Sequence, residues 1–118
     1  MAQGAIFIGW GQPFPGYRQK ALKVFNDAME FWKRMQEQGE IDSFEVVLLS
    51  PHGGDLAGFN LVRGHHEKLA KLQMNQEYES LNQRADLCCR NFGAINATIG
   101  DEVQRQLGQW MKHLAELN

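Results

Sequence analysis

The sequence predicts an α+β domain in which four strands and three long helices follow one another as β-α-β-β-α-β-α. Three observations carry this. Short runs rich in β-branched and aromatic residues, each bounded by Gly or Pro, read as strands. Two stretches of about twenty residues between them change to an apolar spacing of three and four, the helical period. A turn sequence, Pro51-His52-Gly53-Gly54-Asp55, separates the second and third strand runs and reads as a hairpin. The chain has 118 residues, 43% hydrophobic and 22% charged, which fits one globular domain over residues 1–118.

The first run, Ala5–Trp10, is apolar throughout around Ile6, Phe7 and Ile8 and predicts a buried strand. Gly11–Gly16 carries Pro13 and Pro15 and must be a loop. From Tyr17 to Gln38, the residues Ala21, Leu22, Phe25, Ala28, Met29, Trp32 and Met35 form one apolar stripe. Gly39 then stops the helix, since Gly takes the left-handed cap without penalty. Ser43–Ser50 and Leu56–Arg63 are the hairpin strands, and Gly64 is expected to end the second. A further helix is expected from His66 to Leu87, with a break near Met74–Gln76 where the apolar spacing slips. Arg90–Ile99 alternates as the fourth strand. Asp101 should cap a last helix whose stripe is Val103, Leu107, Trp110, Met111, Leu114 and Leu117. That helix is expected to dock with its stripe buried.

Composition excludes several classes. A net charge of −2 with this apolar content excludes a disordered chain. The near-neutral balance argues against nucleic acid as a partner. The longest apolar stretch falls far short of the ~20 residues that a bilayer requires, so no membrane partner is expected, and a cytoplasmic chain is. The two cysteines, Cys88 and Cys89, are adjacent. They read best as reduced, small apolar residues.

The strand and helix order is the split βαβ plan of the ferredoxin-like fold, a four-stranded antiparallel sheet with helices on one face. Alternation places Glu45, Val47 and Leu49 on the uncovered face, and the polarity of the later strands places Asn60, Val62, Asn96 and Thr98 there with them. This patch is too apolar to leave wet, so a homodimer through the sheet face is expected. The element order, the half-apolar sheet face and the segment Gly64–Arg84 together resemble the dimeric α/β-barrel superfamily, which includes antibiotic-biosynthesis-monooxygenase-like, muconolactone-isomerase-like and stress-responsive barrel proteins. The resemblance covers Ala5–Ile99. It implies two sheets meeting across a dimer, a small apolar or aromatic ligand between sheet and helices, and a last helix that covers a helix face or crosses to the partner.

Candidate site residues follow from position and chemistry. His52 lies in the hairpin turn; it is either a solvated turn residue or a catalytic base at a cleft mouth, since His titrates near neutrality. Trp10, Phe14 and Tyr17 flank the Gly/Pro loop and either pack on the core or line a pocket mouth. Asn60 and Asn96 sit in mid-strand, where an amide needs a partner. They either satisfy each other or orient a ligand oxygen. His65 and His66 are consecutive and point apart, and His113 belongs to a polar helix face. No HxxxH, HExxH or CxxC spacing occurs, so no metal is expected. A single axial His to haem is known in the superfamily, but no His stands out for it, and no cofactor is expected. GxGxxG, GK[ST] and GxSxG are also absent. The sequence therefore predicts binding of a small apolar or aromatic molecule. Three function classes remain open: a cofactor-independent enzyme of monooxygenase or isomerase type, a non-catalytic ligand-binding or stress-associated protein, and a protein-interaction module.

Overall fold

A computed structural model describes residues 3–117. Strand β1 (Gln3–Trp10) leads to helix α1 (Arg18–Glu37), and the hairpin strands are β2 (Ser43–Leu48) and β3 (Gly58–His65). Helices α2 (His66–Leu72) and α3 (Gln76–Cys88) follow, then β4 (Gly93–Ala97) and α4 (Asp101–Glu116). The strands form one four-stranded sheet in the order β2-β3-β1-β4. Every neighbouring pair is antiparallel. This is the α+β, ferredoxin-like architecture expected from the element order. Helices α1 and α3 lie side by side over one face.

The helical break falls where the spacing slips. α2 ends at Leu72, and the Asn75 side chain caps α3 by accepting from the Tyr78 amide at 3.0 Å. Met74, between the two, is exposed. Gly64 does not end β3. It lies inside the strand opposite Gly4, and both positions need glycine for space. A Cβ at Gly4 would come within 2.8 Å of the His66 ring, and one at Gly64 within 3.2 Å of Leu69. Strand β3 continues to His65, whose ring accepts from the Glu67 amide and caps α2. Asp101 is the first residue of α4, and Gly100, at φ +60° and ψ −140°, holds the capping position instead. That backbone region is open to glycine almost alone.

The core joins the C-terminal half of α1 to the sheet. Phe31 and Val62 are fully buried, with Ile6, Trp32, Met35, Ile41, Leu69, Leu72, Tyr78 and Leu81 around them. Phe31 and Trp32 meet edge to face at 5.0 Å, and Trp32 and Tyr78 at 5.8 Å, a favoured geometry that adds to area burial. On the outer side, α1 is clamped to α3 by two ion pairs. Arg34 donates to both carboxylate oxygens of Glu77 at 2.9 and 2.7 Å, and Arg84 reaches Asp27 at 3.2 Å.

Strand register corrects the expected faces. Phe44, Asn60 and Val62 share the helix-facing side with Ile6 and Ile8, because Phe44 and Ile6 both pair with Val62, and Ile8 pairs with Asn60. Asn96 pairs with Ile6 and lies on that side too. Thr98 falls beyond the end of β4. The uncovered face keeps Glu45 and Val47, as expected, and carries Phe7, Phe59, Leu61 and Ile95 with them. Phe7 and Phe59 stack there at 5.1 Å. Its one ion pair among the described residues joins Arg63 to Glu45 at 3.4 Å. Polarity assigned the wrong side of β3 because the open face is the more aromatic of the two.

The expected docking of the last helix is also corrected. α4 buries none of its residues. Trp110 is 59% exposed and Leu114 64%. No hydrogen bond or ion pair joins α4 to another element among the described residues.

Candidate functional site

The helical layer closes on the sheet only at one end. At the other, α1 and α3 stand off β1 and β3 and leave a cleft of about 550 Å³, within the usual range for small-molecule sites. Its position follows from side-chain size. Where Trp32, Phe31 and Tyr78 fill the gap, the layers touch. Beyond them α1 presents Ala21 and Ala28 beside Phe25, and α3 presents Ala85, and these alanines are too short to fill the gap. Trp10 and Phe25 form an edge-to-face wall at 6.0 Å. Leu22, more than half exposed, and Arg18 stand at the rim. Arg18 makes no ion pair among the described residues.

One polar side chain is sunk into this apolar space. Asn60 is 2% exposed, lines the cleft, and neither its Nδ2 nor its Oδ1 has a hydrogen-bond partner. A buried amide without partners costs about 1–3 kcal/mol. Asn carries both a donor and an acceptor, so the same group can receive or give a hydrogen bond. Two side chains of the cleft are pushed toward their protonated forms. Burial pushes the Tyr78 hydroxyl and the Cys89 thiol up from their ordinary values, the latter aided by neighbouring Cys88. A thiol so placed is a poor nucleophile. Cys88 and Cys89 are both free.

Of the residues singled out from sequence, Trp10 and Asn60 line the cleft. Phe14 and Tyr17 do not. They pack edge to face at 6.3 Å beside the loop, with Arg90 over Phe14 and Lys20 over Tyr17. Asn96 is turned away, its Oδ1 accepting from Gln73 Nε2 at 2.6 Å. His52 lies outside the cleft as well. Its Nε2 sits 2.9 Å from the Leu56 carbonyl, and Nδ1 accepts from the Gly54 amide at 3.2 Å. Both nitrogens therefore serve the hairpin turn. Sequence reasoning missed Phe25, Met29, Tyr78 and Asn82 as lining residues. The available signal was Asn82, one turn after Tyr78, a polar residue set into an otherwise apolar helix face. Among the described residues no cluster of three or more His, Cys, Asp or Glu could hold a metal ion. No helix among them is long and apolar enough to cross a membrane.

No family model and no curated protein matches the chain. Among solved structures it is similar to a dimeric protein of unknown function and ferredoxin-like fold from Bacteroides fragilis NCTC 9343. The two share 10% sequence identity at a TM-score of 0.60, over 84% of this chain and 98% of that one. The fold is ferredoxin-like. At this identity the likeness extends to fold alone.

Proposed function

We propose that the chain is a homodimeric binding protein that holds a small apolar or aromatic molecule in the cleft, oriented by Asn60. The observation that carries this is the unpartnered amide of Asn60 at the floor of an apolar cavity. A ligand carbonyl or hydroxyl would supply the hydrogen bond that the fold withholds. Trp10 and Phe25 would hold the apolar body of the ligand. Pairing through the open face would cover Phe7, Val47, Phe59, Leu61 and Ile95, and the similar protein from Bacteroides fragilis is itself dimeric. The element order, the half-apolar sheet face and the segment Gly64–Arg84 carry the resemblance to antibiotic-biosynthesis-monooxygenase-like and stress-responsive barrel proteins. Two free cysteines suit a reducing compartment such as the cytoplasm.

Calorimetry with naphthalene, 2-naphthol and 2-acetylnaphthalene tests the site. The oxygen-bearing compounds should bind about tenfold more tightly than the hydrocarbon, the worth of one hydrogen bond of ~1.4 kcal/mol. Asn60→Leu should erase that preference while keeping hydrocarbon binding. No binding across the set, or an unchanged preference in the variant, overturns the assignment. Sedimentation should give twice the chain mass. Val47→Asp should weaken the dimer by several kcal/mol, because it buries an unpaired charge.

A further inference from the structure

We propose that α4 is an exchanged arm that lays its apolar stripe on a second copy of this chain. The inference rests on the reading that the chain dimerises through its open sheet face, and it adds a second contact to that interface.

The stripe is built for burial but has none. Val103, Leu107, Trp110, Met111 and Leu114 recur at three- and four-residue steps, as buried residues of an amphipathic helix do. They are 38, 42, 59, 72 and 64% exposed. The departure point links the helix to the sheet interface. β4 is an edge strand, and its outward Ile95 is 63% exposed. Only Thr98, Ile99 and Gly100 separate β4 from α4. Gly100, in its glycine-only conformation, launches the helix from the rim of the face that would meet the partner.

Area decides the occupant. Four strands about 4.8 Å apart, and about 20 Å long on average, give a sheet face on the order of 400 Å². A stable interface buries about 800 Å² per partner, so the sheet face alone falls short. A helix of 16 residues is about 24 Å long and about 10 Å wide. In a two-fold pair each copy both gives such a helix and receives one, which brings the contact to on the order of 900 Å² per partner. The sheet face, the stripe each copy gives and the surface that receives the partner's stripe together reach the size of one ordinary dimer interface. The polar side of α4 does not suit an anionic membrane. It carries Asp101, Glu102 and Glu116 against Arg105 and Lys112, and Arg105 is already held by Glu102 at 2.7 Å.

The test mixes light and ¹⁵N-labelled full-length protein and crosslinks lysines. Lys112 of α4 should form mixed light–heavy crosslinks to body lysines such as Lys20, Lys68 and Lys71. In sedimentation, Leu107→Glu combined with Leu114→Glu should raise the dimer dissociation constant at least tenfold, with the near-ultraviolet signal of the body unchanged. A dimer that Val47→Asp weakens but the double variant does not, with crosslinks from Lys112 only within one isotope, overturns the arm and leaves the sheet dimer standing. A chain monomeric at micromolar concentration overturns both. Co-sedimentation of that monomer with phosphatidylglycerol vesicles would assign the stripe to lipid. Should the double variant not fold, the crosslinks of the unaltered protein decide.

Discussion

Helices α1 and α4 carry the same kind of apolar stripe and meet opposite fates. α1 buries Phe31, Trp32 and Met35 against the sheet and α3, whereas α4 buries nothing. The difference lies in where the chain must go next. α1 is a crossover between two strands of one sheet, so the return to β2 presses it onto that sheet. α4 follows β4 and, among the described residues, does not link two strands of the sheet. An amphipathic pattern thus specifies that a face will be covered, while topology specifies by what.

The largest expected effect separates the two helices directly. Trp32→Ala removes a ring that is 3% exposed and packed on Phe31 and Tyr78, and should cost about 3–5 kcal/mol in urea unfolding. Trp110→Ala should cost less than about 0.5 kcal/mol at protein concentrations low enough to keep the chain monomeric. At higher concentration the two proteins should diverge, because a dimer contact contributes by mass action. If Trp110→Ala cost as much as Trp32→Ala in the monomer, the contrast between the helices would collapse.

Much of this fold was legible in the sequence because periodicity reports local geometry. The break at Met74, the hairpin around Gly53-Gly54 and the stripe of α1 all follow from spacing and turn chemistry. Periodicity of two sorts a strand into two sets but does not say which set faces the helices. On β3 the set Gly58, Asn60, Val62 and Gly64 is buried, although the set with Phe59 and Leu61 is the more apolar. Gly64 and its neighbour Gly4 leave room for Leu69 and His66 above them, so small residues, not hydrophobic ones, mark the helix side there. The cleft was half legible. Trp10 and Asn60 were recognisable as candidates, but Asn60 was placed on the open face. His52 drew attention through residue type but bonds within its own turn, and Phe14 packs on Tyr17 and Arg90 beside the loop.

Asn60 supplies an effect of intermediate size with an unusual sign. Since its amide has no partner in the cleft, Asn60→Leu should stabilise the ligand-free protein, by about 1 kcal/mol given the 1–3 kcal/mol penalty of an unsatisfied buried group. A lower melting midpoint for the variant would show that the amide is satisfied after all, and would remove the main support for a ligand there.

The smallest effect concerns the polar side of α1, which has a clamp that α4 lacks. The Arg34 guanidinium holds the Glu77 carboxyl below its ordinary value of 4.5, and Lys23 with Arg84 holds Asp27 below 3.8. A carboxyl whose folded value is depressed binds fewer protons folded than unfolded near that value. Its contribution is therefore fully present above the unfolded value and is lost as pH falls through the folded one. Stability should be flat in this respect above about pH 5 and should decline below 4.5 as Glu77 and then Asp27 take up protons. Both pairs lie in solvent, so the decline is small and shrinks further with added salt. Glu77→Gln should flatten part of it. Melting curves of the two proteins between pH 6 and pH 3 that stay parallel would mean that the Arg34 pair adds nothing to the clamp between α1 and α3.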